Sequence, residues 1–168
     1  LVLTSYVEWA LGAQREHTLH QIHTRYDDAS GALFAQNLFA PDLMAHVAFS
    51  WLIEPVPCYT ARRDDFIGRN GDLSVPAALA REQLSGATGA GYDPCAALRG
   101  LIALAPGETR DVIVLLGAAV GDAEARALIA RHTTPPAASV VIADAVRAWD
   151  DRLSVVSVRT SISSRAAV

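Results

Sequence analysis

The densest stretch of potential chemistry in this chain is Arg62-Arg63-Asp64-Asp65-Phe66-Ile67-Gly68-Arg69-Asn70-Gly71. Planar guanidinium forks and the Asn70 amide stand there beside two glycines, and such multidentate donors hydrogen-bond sugar hydroxyls or an oxyanion. The same residues serve as loop bracing if Arg63 and Asp65 form an internal ion pair. From residue types alone bracing is the stronger reading, because loop charges commonly hold local structure.

Other motifs carry less. Gly86-Ala87-Thr88-Gly89-Ala90-Gly91 invites comparison with a phosphate cradle, but its spacing matches neither dinucleotide nor P-loop patterns, no clear strand leads in, and Pro94 blocks an immediate helix. His17, His20 and His23 lie three apart, which on a helix would form a metal-binding stripe. The segment reads as a strand instead, with His17 and His23 on one side and His20 on the other, and a fourth ligand is lacking. Cys95 has no histidine close in sequence, and neither a G-x-S-x-G elbow nor an H-E-x-x-H pair occurs. The pairs Asp27-Asp28, Asp64-Asp65 and Asp150-Asp151 read as turns, caps or solvated surface rather than catalytic dyads.

The elements that would position these residues are mostly strands. Tyr6, Val7 and Trp9 form one ending at Gly12. His17–Tyr26 and Ala32–Gln36 flank the turn at residues 27–31. In Ala45–Ile53, Val47, Phe49 and Trp51 recur every second residue and share a face, and Pro55 and Pro57 stop the run. Residues 62–94 read as a long ordered loop with short helical turns around Ala77–Gln83. Cys95–Ala105 and Asp111–Leu116 are expected to form a hairpin about Pro106-Gly107, which suits a type II turn. Asp122 is expected to cap a helix ending at Thr133-Thr134-Pro135-Pro136. A second helix over 137–151 aligns Val141, Ala145 and Trp149 in a stripe. Val155–Arg159 reads as a short extended exit and residues 161–168 as loose.

Composition narrows the function classes. A chain of 168 residues, 51% apolar, can bury one domain's core. A net charge of -4 lacks the basic excess that phosphate backbones demand, so nucleic acid is not an expected partner. All fourteen basic residues are arginine, a bias without functional weight. No apolar run approaches the roughly 20 residues of a membrane span. Cys58 and Cys95 sit apart without ligand spacing, which fits a reduced, cytoplasmic setting. The opening residues Leu1–Trp9 start directly in a strand pattern, as if inside a domain, with their sheet partner expected to be missing.

RRDDFIGRNG, VPAAL, LSGATGAGYDPCAAL, ALAPGE and VIVLLG, in this order and spacing, resemble the sandwich region of glycoside hydrolase family 94, the cyclic β-1,2-glucan synthases and 1,2-β-oligoglucan phosphorylases. SYVEWALG, TRYDDASGALFAQN and the later W-D-x-x-L with its V-x-T exit look like the same family, so the resemblance covers nearly the whole chain. It implies a mainly β fold: part of a galactose-mutarotase-like β-supersandwich over residues 1–121, then two linker α-helices over 122–168 leading toward an (α/α)6 barrel. By the same resemblance the catalytic aspartate and phosphate-binding residues belong to that barrel, no cofactor is needed, and inorganic phosphate is the parent enzyme's co-substrate. This portion would then be non-catalytic. Its implied partners are a β-glucan oligosaccharide lined by Arg63, Asp65, Arg69 and Asn70, its own barrel, and a second subunit in a homodimer. A cytoplasmic location, tethered to the inner membrane through a parent synthase, goes with that reading. The stretch Thr160–Val168 departs from the family pattern. The rival expectation is a free-standing carbohydrate-binding or assembly module without catalysis.

Overall fold

The computed structural model describes residues 1–53 and 58–155 of the chain. Seven strands form two antiparallel sheets. Strands β1 (Val2–Glu8), β6 (Pro94–Leu101) and β5 (Cys58–Arg62) make the smaller, in the order β1-β6-β5; β2 (Ile22–Asp27), β3 (Ala32–Asn37), β4 (His46–Leu52) and β7 (Val114–Val120) make the larger, in the order β2-β3-β4-β7. Two short helices, α1 (Arg15–Thr18) and α2 (Arg63–Ile67), two longer ones, α3 (Gly121–Arg131) and α4 (Pro135–Leu153), and 3-10 turns at Leu19–Gln21 and Ala77–Ala80 complete the described elements.

Alternation along the strands builds two apolar layers from one sheet. From the larger sheet Ile22, Leu33, Ala35, Ala48 and Leu52 meet Ala61, Ala96 and Leu98 of the smaller one, with Trp9 beside them. On the other face Phe34, Val47, Phe49 and Trp51 pack under Ala125 and Ile129 of α3. The shared face expected for Val47, Phe49 and Trp51 is this helix-covered one. A third cluster lies outside the smaller sheet, where Phe66, Ile67, Ala78 and Leu84 cover Ala97. Stacked rings of Tyr26 and Tyr59, 4.3 Å apart, place β5 over β2, so β1 lies toward the β7 side.

Several expectations change. The hairpin is not formed: β6 pairs with β1 and β5, whereas β7 pairs with β4. The Pro106-Gly107 turn exists, with Glu108 N–H donating to Ala105 O at 3.0 Å, but it sits in a connection crossing between sheets. A turn sets only local direction, and the seven-residue ladders β1–β6 and β4–β7 decide the pairing. Strand β7 also runs later than expected, over Val114–Val120. The first strand is not left without a partner, because β1 and β6 pair from Val2–Leu101 to Glu8–Cys95. Residues 15–21 form a helical turn rather than the start of a strand, which begins only at Ile22. That puts His17 and His20 on helical turns and His23 on β2.

The cap of α3 also differs from expectation. Val120 occupies the N-cap position, the Glu124 carboxylate accepts its N–H at 3.0 Å, and Asp122 instead pairs with Arg25. Helix α4 starts earlier than expected, with Thr134 as cap and Pro135 in its first turn, a position where the missing N–H costs nothing. Its stripe buries no residue. Val155 lies in a turn; the proposed stop at Pro55 and Pro57, the rest of the extended exit and the loose tail lie outside the described residues.

Candidate functional site

The segment 62–94 is more built than a loop. Helix α2 follows β5 directly, and Phe66 and Ile67 bury into the third cluster, fixing which way the remaining α2 side chains point. Arg63 turns to the end of β1. Its Nε donates to Glu8 Oε1 at 2.8 Å and lies 3.8 Å from Asp93 Oδ2. Arg15 completes a ring of alternating charge by reaching Glu8 Oε2 at 3.4 Å and pairing with Asp93. Tyr6 also donates to Glu8, at 2.8 Å. Burial works against the Glu8 carboxylate, but the hydrogen bonds from Arg63 and Tyr6, with both arginine charges, hold its pKa below the ordinary value. Burial, together with the bond to Glu8, raises the Tyr6 phenol.

Asp65 points elsewhere. Arg81 Nη1 donates to its Oδ1 at 2.8 Å. Burial again opposes ionisation, and contacts with Ser85, Arg81 and Thr60 together lower the Asp65 pKa. Arg81 belongs to a covering segment that Arg99, 7% exposed on β6, pins to the sheet. Arg99 donates to the carbonyls of Arg81 and Ala78, each at 2.7 Å. The expected internal pair between Arg63 and Asp65 is therefore not made: each is ionically bonded, but to a different part of the fold.

Arg69 and Asn70 occupy the tip between Gly68 and Gly71, where Gly71 N–H donates to Gly68 O at 3.2 Å. Both side chains are exposed. The turn tolerates little else at its corners. Gly68 has φ +97° and ψ 154°, a region almost confined to glycine, and a Cβ on Gly71 would sit 2.3 Å from Ile67 O. Beside this region a groove of about 510 Å³ is lined by Tyr6, Phe66, Leu73, Leu79, Arg81 and Arg99. The rings of Tyr6 and Phe66 stack at 4.6 Å within it. Nearby on the chain, Arg62 chelates Asp64 at 3.2 and 2.7 Å and lies over the Tyr92 ring at 4.1 Å.

The structure thus separates the four candidates into two braces, Arg63 and Asp65, and two presented groups, Arg69 and Asn70. Glu8, Arg15, Asp93, Arg81 and Arg99 were missed from sequence. No local signal marks them, because Glu8 meets Arg63 only through the register that sets Glu8 opposite Cys95. Two amides of the glycine-rich segment are committed to the sheets: Gly86 donates to Tyr59 O at 2.8 Å and Gly89 to Thr24 O at 2.9 Å. Among the described residues no group of three or more His, Cys, Asp or Glu side chains is placed to hold a metal. No described helix is long and apolar enough to cross a membrane.

A two-layer antiparallel sandwich carrying a braced, polar turn on its outer side defines a β-sandwich domain. The chain belongs to the glycosyl hydrolase 94 supersandwich domain family, whose model matches residues 1–135, past α3 to the first residue of α4. It is also 31% identical over 156 residues to the cyclic β-(1,2)-glucan synthase NdvB of Rhizobium meliloti (strain 1021). That match takes in 92% of this chain and 6% of the synthase, so the chain spans a small part of its relative's length.

Proposed function

We propose that this chain is the non-catalytic sandwich portion of an enzyme acting on β-1,2-glucans, and that its Arg69-Asn70 turn contributes to the rim of the sugar cleft. The observation that carries the reading is the turn itself: two glycine corners that admit no side chain hold an arginine fork and an amide toward solvent. Rigid presentation matters, because a donor already fixed in place loses little entropy when a sugar hydroxyl arrives. Arg63 and Asp65 support the turn by anchoring α2 from both sides, through Glu8 and Arg81 respectively. In the whole enzyme the chemistry would reside in a separate catalytic barrel. There phosphate attacks the anomeric carbon with inversion while an aspartate protonates the leaving oxygen. A cytoplasmic site of action, at the inner membrane through the parent synthase, accompanies this proposal.

Arg69→Ala and Asn70→Ala, introduced into the full-length enzyme, test it. Loss of one hydrogen bond to substrate, charge-assisted from Arg69 and neutral from Asn70, is expected to raise KM for a β-1,2-gluco-oligosaccharide about tenfold with kcat nearly unchanged. Unaltered kinetics in both variants would remove the turn from the cleft. Calorimetry of the 168-residue chain with the same oligosaccharides separates the rival role. Tight binding here marks a self-sufficient carbohydrate-binding module, whereas silence fits a rim that needs its barrel.

A further inference from the structure

Arg99 lies on the middle strand of the smaller sheet, opposite Thr4 of β1 and Cys58 of β5. It shares a face with Ala97, two residues earlier, and that face carries the third apolar cluster. A guanidinium on such a face must find acceptors, because a buried charge without partners is costly. Its acceptors are main-chain carbonyls of the segment 76–84, which crosses over the sheet. Nη2 donates to Ala78 O and Nη1 to Arg81 O, each at 2.7 Å, while Glu82 O lies 3.4 Å from Nη1 and Thr4 Oγ1 3.4 Å from Nε. These carbonyls lie in and just past the 3-10 turn at Ala77–Ala80, where Ala78 is fully buried. The far end of the segment is tied down separately, by the N–H of buried Leu84 donating to Cys58 Sγ at 3.0 Å.

The segment so held touches α2 and its glycine-cornered turn in two places. Arg81, whose carbonyl Arg99 grips, extends its own guanidinium to Asp65, with Nη1 2.8 Å from Oδ1 and 3.3 Å from the main-chain oxygen. Ala77 packs against the first corner of the turn, since a Cβ on Gly68 would lie 3.2 Å from the Ala77 methyl. Gly68 in turn accepts the N–H of Gly71, the second corner, at 3.2 Å. These are direct contacts within residues 65–99, so nothing packed around the domain comes between them.

We propose that Arg99 is a positioning residue for the Arg69-Asn70 turn. It fixes the 76–84 segment above the sheet and, through Arg81 and Ala77, the direction in which the turn presents its arginine fork and amide. The effect on substrate rests on the sugar-rim reading; the effect on the turn does not. Arg63 and the buried Phe66 and Ile67 hold α2 by separate routes. Loss of Arg99 therefore loosens the tip without unfolding the helix. A planar guanidinium suits the task because its two Nη atoms hold two different carbonyls at once, whereas an ammonium is a single point charge.

Arg99→Met in the full-length enzyme, followed by hydrogen exchange with mass spectrometry and by steady-state kinetics, tests the relay. Peptides covering 63–71 and 76–84 are expected to exchange about tenfold faster, with β2, β3 and β4 unchanged. KM for a β-1,2-gluco-oligosaccharide is expected to rise about threefold at constant kcat, and that rise should vanish once Arg69 and Asn70 are both alanine, since residues acting in one line are not additive. A loosened 76–84 beside an unchanged 63–71 overturns the proposal, because Arg99 then braces only its own segment. So does a KM rise that persists in the doubly substituted background, or an unchanged KM where Arg69→Ala alone raises it. If neither Arg69→Ala nor Asn70→Ala alters the kinetics, the sugar-rim reading fails, and exchange at 63–71 still decides the positioning. If Arg99→Met does not fold, Arg81→Met, at a side chain 48% exposed, breaks the relay one step further on. Faster exchange at 63–71 in that variant supports the relay, and unchanged exchange there overturns it.

Discussion

Replacing Asp27 by Asn is expected to destabilise the fold by up to about 2 kcal/mol at pH 7, and by progressively less as the pH falls toward 2. Asp27 ends β2 and is 8% exposed. Arg126 of α3 grips it from above, with Nε at 3.2 and 3.0 Å from its two oxygens and Nη2 at 2.5 Å from Oδ1. Ser30 adds a hydroxyl at 2.6 Å and a backbone N–H at 3.0 Å. The Arg126 hydrogen bonds lead, and with Ser30 they outweigh burial and bring the carboxyl pKa down from 3.8 to about 2. That difference corresponds to about 2 kcal/mol of preference for the charged form in the folded state. Because the Arg126 side chain is 42% exposed, solvent screens the pair and the figure is a ceiling. With the folded pKa depressed, the unfolded chain binds its proton first as acid is added. The contribution is therefore complete above about pH 4 and gone once the pH passes below about 2. Urea unfolding followed by circular dichroism at several pH values reads this directly. At pH 7 the midpoint should drop by about 1 M, and the thermal midpoint by about 4–8 °C. A wild-type to D27N gap that is as wide at pH 2 as at pH 7 would refute the reasoning, since it would assign the loss to packing rather than ionisation.

Two further outcomes follow from the geometry. Gly71→Ala forces the turn away from Ile67 O, where a Cβ would lie at 2.3 Å, and should cost about 1–3 kcal/mol. The measurement is a thermal melt together with backbone shifts at Arg69 and Asn70, and neither moving would contradict the close approach. Burial, with the charges of Glu8, Asp93 and Asp65 adding, pushes the Cys95 thiol far up, so it should resist iodoacetamide in the folded protein while half-buried Cys58 reacts. Equal labelling of both thiols by mass spectrometry would show that β6 opens readily.

Much of the candidate site was legible because its constraints are local. The Gly68 and Gly71 corners, the polar tip between them and the apolar Phe66-Ile67 pair all fall within ten residues. The charge ring was not legible, because Glu8, Arg15, Arg63 and Asp93 come from four separate stretches. Asp27 was half legible. The turn read at Asp27-Asp28 does form, with Ser30 N–H donating to the Asp27 carboxylate, but Asp27 is not solvated: the fold buries it under a helix that begins almost a hundred residues later.

What the sequence by itself determined was the material of the fold: period-two alternation in β4, glycine and proline punctuation, two closing helices, and motifs resembling one family. Each depends on interactions between residues only a few positions apart. Pairing is different. That β6 chooses β1 and β5 rather than β7, that the glycine-rich segment closes one side, and that β7 joins β4 in the larger sheet were decided only in three dimensions. Strand partners are set by which set of ladders buries the most apolar surface between the layers, and that competition runs over the whole chain at once.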